Sequence, residues 1–163
     1  MQKATCFSGT IRSNMELGNP RVTDEEIWKA LEIAQAAEFV RKWSDGLSHP
    51  VTEGGTNLSG GQKQRLSIAR AILHGADILI LDDSASALDF ATEAALRRAI
   101  ASLPGDITVI TISQRAGSVL SMDKILVLDD GRLVGMGTHE ELLRSSPVYR
   151  EIYHSQFPEE VLS

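Results

Sequence analysis

The sequence predicts an α/β fold built on a parallel sheet, with a helical segment set into its N-terminal half. Three observations predict it. The run Ile78-Leu79-Ile80-Leu81 is short and continuously apolar, the pattern of a strand buried on both faces of a parallel sheet. A second such run, Ile107 to Ile112, follows a stretch of helical period, which gives a strand, helix, strand order. Upstream, the apolar residues between Ile27 and Val40 and between Leu66 and Ile72 recur at helical spacing.

Taken in order, the first dozen residues carry no clear period, and Gly18, Asn19 and Pro20 mark a loop. Thr23 with Glu26 forms a capping box ahead of the stripe Ile27, Leu31, Ile33, Ala34, Ala37 and Val40. One helix is therefore expected from there to about Trp43, ended by Asp45-Gly46. Ser48 to Asn57 is polar and turn-rich. Gly60 opens a second helix, carried by Leu66, Ile68, Ala69 and Ile72 to the His74-Gly75 stop. The strand from Ile78 delivers Asp82 and Asp83 at its carboxyl end. A third helix runs from about Phe90 to Leu103, and Pro104-Gly105-Asp106 turns the chain into Ile107 to Ile112. Ile125 to Asp129 and Arg132 to Met136 read as a hairpin about Asp130-Gly131, and Thr138 with Glu141 caps a final helix, after which the chain is expected to fray. The organisation divides near residue 75, with helical segments before it and the α/β core in 76–163.

A length of 163 residues with 42% hydrophobic and 23% charged residues suits one packed core. The net charge of -6 removes any broad attraction to nucleic acid or an anionic membrane surface, so nucleic acid is not expected as a partner. No apolar run approaches the roughly 20 residues a membrane span requires, and the start has no signal-peptide pattern; the chain itself reads as soluble and cytosolic. Cys6 stands alone, which excludes an internal disulfide and a cysteine metal cluster, and it reads as a small apolar residue.

The chemistry-bearing string is Leu58-Ser59-Gly60-Gly61-Gln62, followed by Lys63-Gln64-Arg65. It places a serine and two glycines at a helix start, where unbonded N–H groups and the positive end of the helix dipole face an anion such as phosphate. Glycine lets the backbone approach closely, and the serine hydroxyl adds a donor. The full string LSGGQKQRLSIARA resembles, almost letter for letter, the signature motif of ABC-transporter ATPase domains.

That resemblance extends along most of the chain. ILILDD is similar to a Walker B strand, which implies that Asp82 is the magnesium-side carboxylate. Asp83 falls where the family normally has a glutamate that activates the attacking water. It is about 1.5 Å too short, and a misplacement near 1 Å costs on the order of 100-fold in rate. Ser86-Ala87-Leu88-Asp89 resembles the D-loop, which implies that Asp89 lies at the nucleotide-bridged interface. Gln114 stands where the family has its switch histidine; glutamine donates a hydrogen bond but carries no proton or charge. Gln2 matches the Q-loop glutamine that reaches magnesium and water, Thr52 to Gly55 resembles the exporters' cross-talk segment, and residues 130–142 resemble the C-terminal hairpin and helix. No lysine in the sequence precedes serine or threonine, so a phosphate-binding loop (Walker A) is not among these residues.

The resemblance thus implies a partial RecA-like P-loop NTPase core with the ABC helical subdomain, without its N-terminal strands. It implies the distal part of a degenerate-site subunit of a heterodimeric exporter, acting on ATP with Mg2+. The implied partners are a second ABC ATPase domain and the coupling helices of a transmembrane domain at the cytoplasmic face of the membrane. The expected sites are Asp83 and Gln114 for catalysis, Asp82 and Gln2 for metal, and Gln2, Leu58, Ser59, Gly60, Gly61, Gln62 and Asp89 for nucleotide. No hydrolysis is expected from the isolated chain. Two alternatives stand beside this reading: the C-terminal lobe of a split ABC ATPase of the chromosome-maintenance type, and a truncated remnant without activity.

Overall fold

Thr23 begins its helix as expected. Its hydroxyl accepts the Glu26 N–H, and the Glu26 carboxylate accepts the Thr23 N–H at 2.7 Å. The computed structural model describes residues 4–84 and 87–158, in two units, Met1–Ile112 and Ser113–Ser163.

In the first unit, β1 (Gly9–Thr10) pairs antiparallel with β2 (Pro50–Val51), and α1 (Ile11–Met15) starts from a capping box between Thr10 and Ser13. The single helix expected after Thr23 is two, α2 (Asp24–Ile33) and α3 (Ala37–Arg41). Gln35 between them has a left-handed backbone, with φ of 58°. The Ala36 N–H returns to the Leu31 carbonyl at 2.7 Å and the Gln35 N–H to Glu32 at 3.0 Å, a Schellman stop with glutamine where glycine is usual. Arg65 offsets part of the strain by donating to the Gln35 carbonyl at 2.9 Å. The apolar spacing continues at three to four residues across the break, which is why periodicity alone runs through it.

The longest helix, α4 (Gly60–Leu73), ends where expected: Gly75 takes the left-handed position (φ 63°) and its N–H bonds the Ile72 carbonyl at 3.1 Å. Leu66, Ile68 and Ala69 of α4 join Ile11, Met15, Ile27, Leu31 and Val40 in one buried cluster, along with Leu79, Leu96 and Ile100 from the α/β part. Cys6 is buried in the same cluster, and desolvation raises its thiol pKa, so it behaves as a small apolar residue.

The strands β3 (Ile78–Asp82) and β4 (Thr108–Ile112) run parallel, in register from Ile78 opposite Thr108 to Asp82 opposite Ile112. They are joined through α5 (Phe90–Ala101). The expectation of two buried faces is corrected. Leu79 is 6% exposed, but Ile78 and Ile80 are 56% and 60% exposed, and Ile110 and Ile112 on the neighbouring strand 45% and 52%. A continuous apolar run encodes two covered faces, and among the described residues only one cover is present.

The second unit contains the hairpin of β5 (Ile125–Asp129) and β6 (Arg132–Gly137). Asp130 and Gly131 both have positive φ, 45° and 73°, the two-residue turn whose twist matches the strands. The next helix, α6 (His139–Ser145), carries the expected box between Thr138 and Glu141. The helix capped by Thr138 is not the final one: α7 (Pro147–Gln156) starts from Ser146, which accepts the Tyr149 N–H, with proline in the first turn and Tyr149 and Tyr153 buried one turn apart, and the last residues expected to fray, 159–163, lie outside the described residues. Among the described residues no helix is long and apolar enough to cross a membrane.

The one-sided sheet makes a testable contrast along a single strand. Leu79→Ala is expected to destabilise the chain by about 2–4 kcal/mol, and Ile80→Ala, on the open face, by less than about 1 kcal/mol. Urea unfolding of both variants measures the difference, and equal losses would contradict a face left uncovered.

Candidate functional site

The start of α4 is built by Ser59. Its backbone is extended (φ -67°, ψ 161°), its hydroxyl oxygen accepts the Gln62 N–H at 3.2 Å, and its own N–H donates to the Gln62 side-chain oxygen at 2.8 Å. This capping box fixes the first turn and leaves the Ser59 O–H able to donate outward. The N–H groups of Gly60 and Gly61 occupy the first two helical positions, which have no acceptor within a helix, and they lie at the positive end of a 14-residue dipole. Leu58, the residue before Ser59, is buried.

The two glycines are not equivalent. A Cβ on Gly60 would lie 3.8 Å from the Ala87 Cβ, an ordinary contact, whereas one on Gly61 would lie 2.9 Å from the Ala87 carbonyl oxygen. Gly61 therefore has a packing reason to be glycine besides the anionic one: the segment leading into α5 crosses directly over it.

Asp82 ends β3 and is exposed. Asp83 follows in a left-handed conformation, φ 47°, uncommon for a residue with a side chain. Its N–H bonds the Ile112 carbonyl at 2.9 Å, and its carbonyl accepts from Gln64 Nε2 at 3.0 Å. The other end of the same amide, Gln64 Oε1, accepts the Ala87 N–H at 3.3 Å. No role for Gln64 is visible in the sequence motif itself. The available signal is its spacing, since a residue three after Gly61 lies on the same face of α4 as the Ala87 crossing.

Asp89 is the N-cap of α5. Its carboxylate accepts the Thr92 N–H at 2.9 Å and the Thr92 hydroxyl at 2.7 Å, and these two bonds, the backbone one first, hold it below the ordinary aspartate pKa. Gln2 and Ser86 lie outside the described residues.

Three basic residues of α4 bind backbone elsewhere in the unit. Lys63 Nζ lies 3.5 Å from the Gly54 carbonyl oxygen, in the turn where Asn57 accepts the Thr52 N–H and donates to Pro50 at 2.8 Å. Half-buried Arg65 donates to the Gln35 carbonyl at 2.9 Å and, within α4, to the Gly61 carbonyl at 3.2 Å, lies 4.8 Å from the centre of the Phe39 ring, and has its pKa lowered by desolvation. Arg70 donates to the Thr5 carbonyl at 3.3 Å and lies over Phe7.

In the second unit Gln114 is exposed, and its backbone is held from α7. Gln156 Nε2 donates to the Gln114 carbonyl at 2.9 Å, and Gln156 Oε1 accepts the Ala116 N–H at 2.9 Å.

These residues fit a magnesium nucleotide. Among the described residues no group of three or more histidines, cysteines or acids could hold a metal alone. Magnesium in nucleotide sites is commonly taken by one or two carboxylates, with phosphate oxygens and water completing the shell, which is what an exposed Asp82 at a strand end offers. The α4 terminus offers two backbone donors and one hydroxyl to phosphate oxygens.

The sequence matches the family model described as ABC transporter over residues 1–86. It is 42% identical over 158 residues to an uncharacterized ABC transporter ATP-binding protein of Mycobacterium tuberculosis, covering 95% of this chain and 27% of that protein. It is 45% identical over 159 residues to the uncharacterized ABC transporter ATP-binding protein YfiB of Bacillus subtilis, covering 98% and 27%. It is 43% identical over 157 residues to the ATP-dependent lipid A-core flippase of Shewanella oneidensis, covering 96% and 26%. Among solved structures, a bacterial Atm1-family ABC exporter with ATP bound superposes with a TM-score of 0.90 at 35% identity, over 95% of this chain and 27% of that one. The chain therefore spans about a quarter of the length of the curated relatives it matches.

Two outcomes follow from the geometry of the α4 and α5 starts. Gly61→Ala is expected to displace the Ala87 segment, seen as faster exchange of the Ala87 amide, while Gly60→Ala leaves that amide unchanged; the reverse order would contradict the close approach. The Asp89 cap, depressed in pKa on folding, lends its support fully above the ordinary value of 3.8 and loses it as pH falls through the lower folded value. Amide exchange in the first turn of α5 followed from pH 6 downward should show this loss, and Asp89→Ala should show the fraying already at pH 6.

Proposed function

Because the chain belongs to the ABC transporter family, we propose that it is the distal part of an exporter ATPase domain, from the subunit of a heterodimer whose own hydrolytic site is degenerate. In this reading Ser59, Gly60 and Gly61 close over the phosphates of ATP seated on a second ABC ATPase domain. Asp82, Asp83, Gln114 and Gln2 belong to this subunit's own site. Residues Thr52 to Gly55 face the coupling helices of a transmembrane domain at the cytoplasmic side of the membrane. Hydrolysis of the terminal phosphoryl group of bound MgATP supplies the energy for transport.

The observation that carries the reading is the start of α4, where the capping box fixes the first turn and the Gly60 and Gly61 N–H groups occupy positions that have no acceptor within the helix. Preorganised backbone donors of this kind stabilise charge that grows on phosphate oxygens during transfer, at no cost of reorganisation. At the chain's own site the residue types suit hydrolysis poorly. Asp83 holds a carboxylate one methylene short of the length that suits water activation, and the Gln114 amide donates a hydrogen bond without accepting a proton. This subunit's own nucleotide then acts mainly to hold the dimer together.

Two substitutions test the division in the complete transporter. Gly60→Asp puts a carboxylate where the phosphate is expected and should lower turnover about 100-fold, with nucleotide binding by the partner retained. Asp83→Glu combined with Gln114→His should turn the second site on, seen as two ATP hydrolysed per closure where the parent hydrolyses one. Unchanged stoichiometry in the double variant would overturn the degenerate-site assignment.

A further inference from the structure

The structure assigns Gln64 as a positioning residue that ties the signature helix to Asp83 and to the segment entering α5, so that phosphate engaged at the α4 terminus and the chain's own site carboxylate are mechanically linked. The link rests on the ATP-site reading above.

The geometry is a clamp made by a single amide. Gln64 Nε2 donates to the Asp83 carbonyl and Gln64 Oε1 accepts the Ala87 N–H, at 3.0 and 3.3 Å. The glutamine amide offers a donor and an acceptor at fixed separation, so the two backbone groups are held relative to each other as well as to α4. The base of the clamp is rigid, because Leu66, Ile68 and Ala69, within two turns of Gln64, are buried. The backbone it grips is poised: Asp83 has φ of 47° and is held from the other side by its own N–H to Ile112 at 2.9 Å. Gln64 lies one turn from the Gly60 and Gly61 donors, so a shift of that turn on meeting phosphate reaches Asp83 and Ala87 through two hydrogen bonds. Gln156 grips Gln114 and Ala116 with the same two-ended amide in the second unit. Both positions at which the sequence departs from the family pattern therefore have their backbones held by a glutamine from a helix.

The test has two arms. In the 163-residue chain, Gln64→Ala should speed exchange of the Ala87 amide roughly fivefold, the loss of one hydrogen bond, with α4 amides from Leu66 to Ile72 unchanged. Gln64→Glu, which keeps an acceptor for Ala87 and loses the donor for Asp83, should leave Ala87 protected. In the complete transporter carrying Asp83→Glu and Gln114→His, adding Gln64→Ala or Gln64→Glu should lower kcat about tenfold, as a small displacement of the carboxylate does, with KM for ATP within about twofold. Unchanged Ala87 exchange in Gln64→Ala overturns the clamp. Unchanged kcat, or a kcat loss accompanied by faster exchange throughout α4, overturns the positioning role. If the transporter fails to bind ATP at all, the ATP-site reading falls with the link that rests on it, and the exchange arm still decides the clamp.

Discussion

The first unit depends on the burial of one face of α4. Leu66, Ile68 and Ala69 set that helix into the cluster formed by Ile11, Ile27, Leu31 and Val40, and everything of functional interest is then hung from its polar positions. Gln64 reaches Asp83 and Ala87, Arg65 reaches the Gln35 turn, and Arg70 reaches Thr5. Each is a side chain bonding to backbone, which lets one helix dictate the course of several loops without constraining their side chains. A helix anchored on one face and bonded on the others can move only by carrying those loops with it.

The features legible in the sequence were those written in local chemistry. The capping boxes at Thr10, Thr23, Ser59 and Thr138 each form from a hydroxyl and a residue three places on, and those at Thr23 and Thr138 are read from that spacing alone. The Asp130-Gly131 turn is equally local, because both residues tolerate positive φ. The signature string reveals its helix start and its family together, since the glycines that would suit phosphate are unusual anywhere else.

What was not legible depends on contacts distant in sequence. The stop at Gln35 preserves helical spacing on both sides, and the bond that supports it comes from Arg65, thirty residues later. Gln64 and Gln156 are polar residues on exposed or partly exposed surfaces, a class with no period and no compositional signal. The helix α7 is the exception: its Ser146-Pro147 start and the stripe Val148, Tyr149, Ile152 and Tyr153 are local signals that the expectation of a frayed end passes over. Ile78 to Leu81 reads as doubly buried because the residues encode a requirement for cover, and a requirement is not the cover itself.

The open face of β3 and β4 has a consequence for handling the chain. Isoleucines at every second position of two parallel strands form a flat, branched apolar ridge, and among the described residues neither strand has a second neighbour, so both outer edges present unpaired backbone groups. A ridge of this kind packs on its own copy at about the 10 Å spacing of stacked sheets, and an open edge recruits further strands. In concentrated solution the chain on its own is therefore a self-associating molecule, kept dispersed chiefly by its negative charge and driven together by added salt.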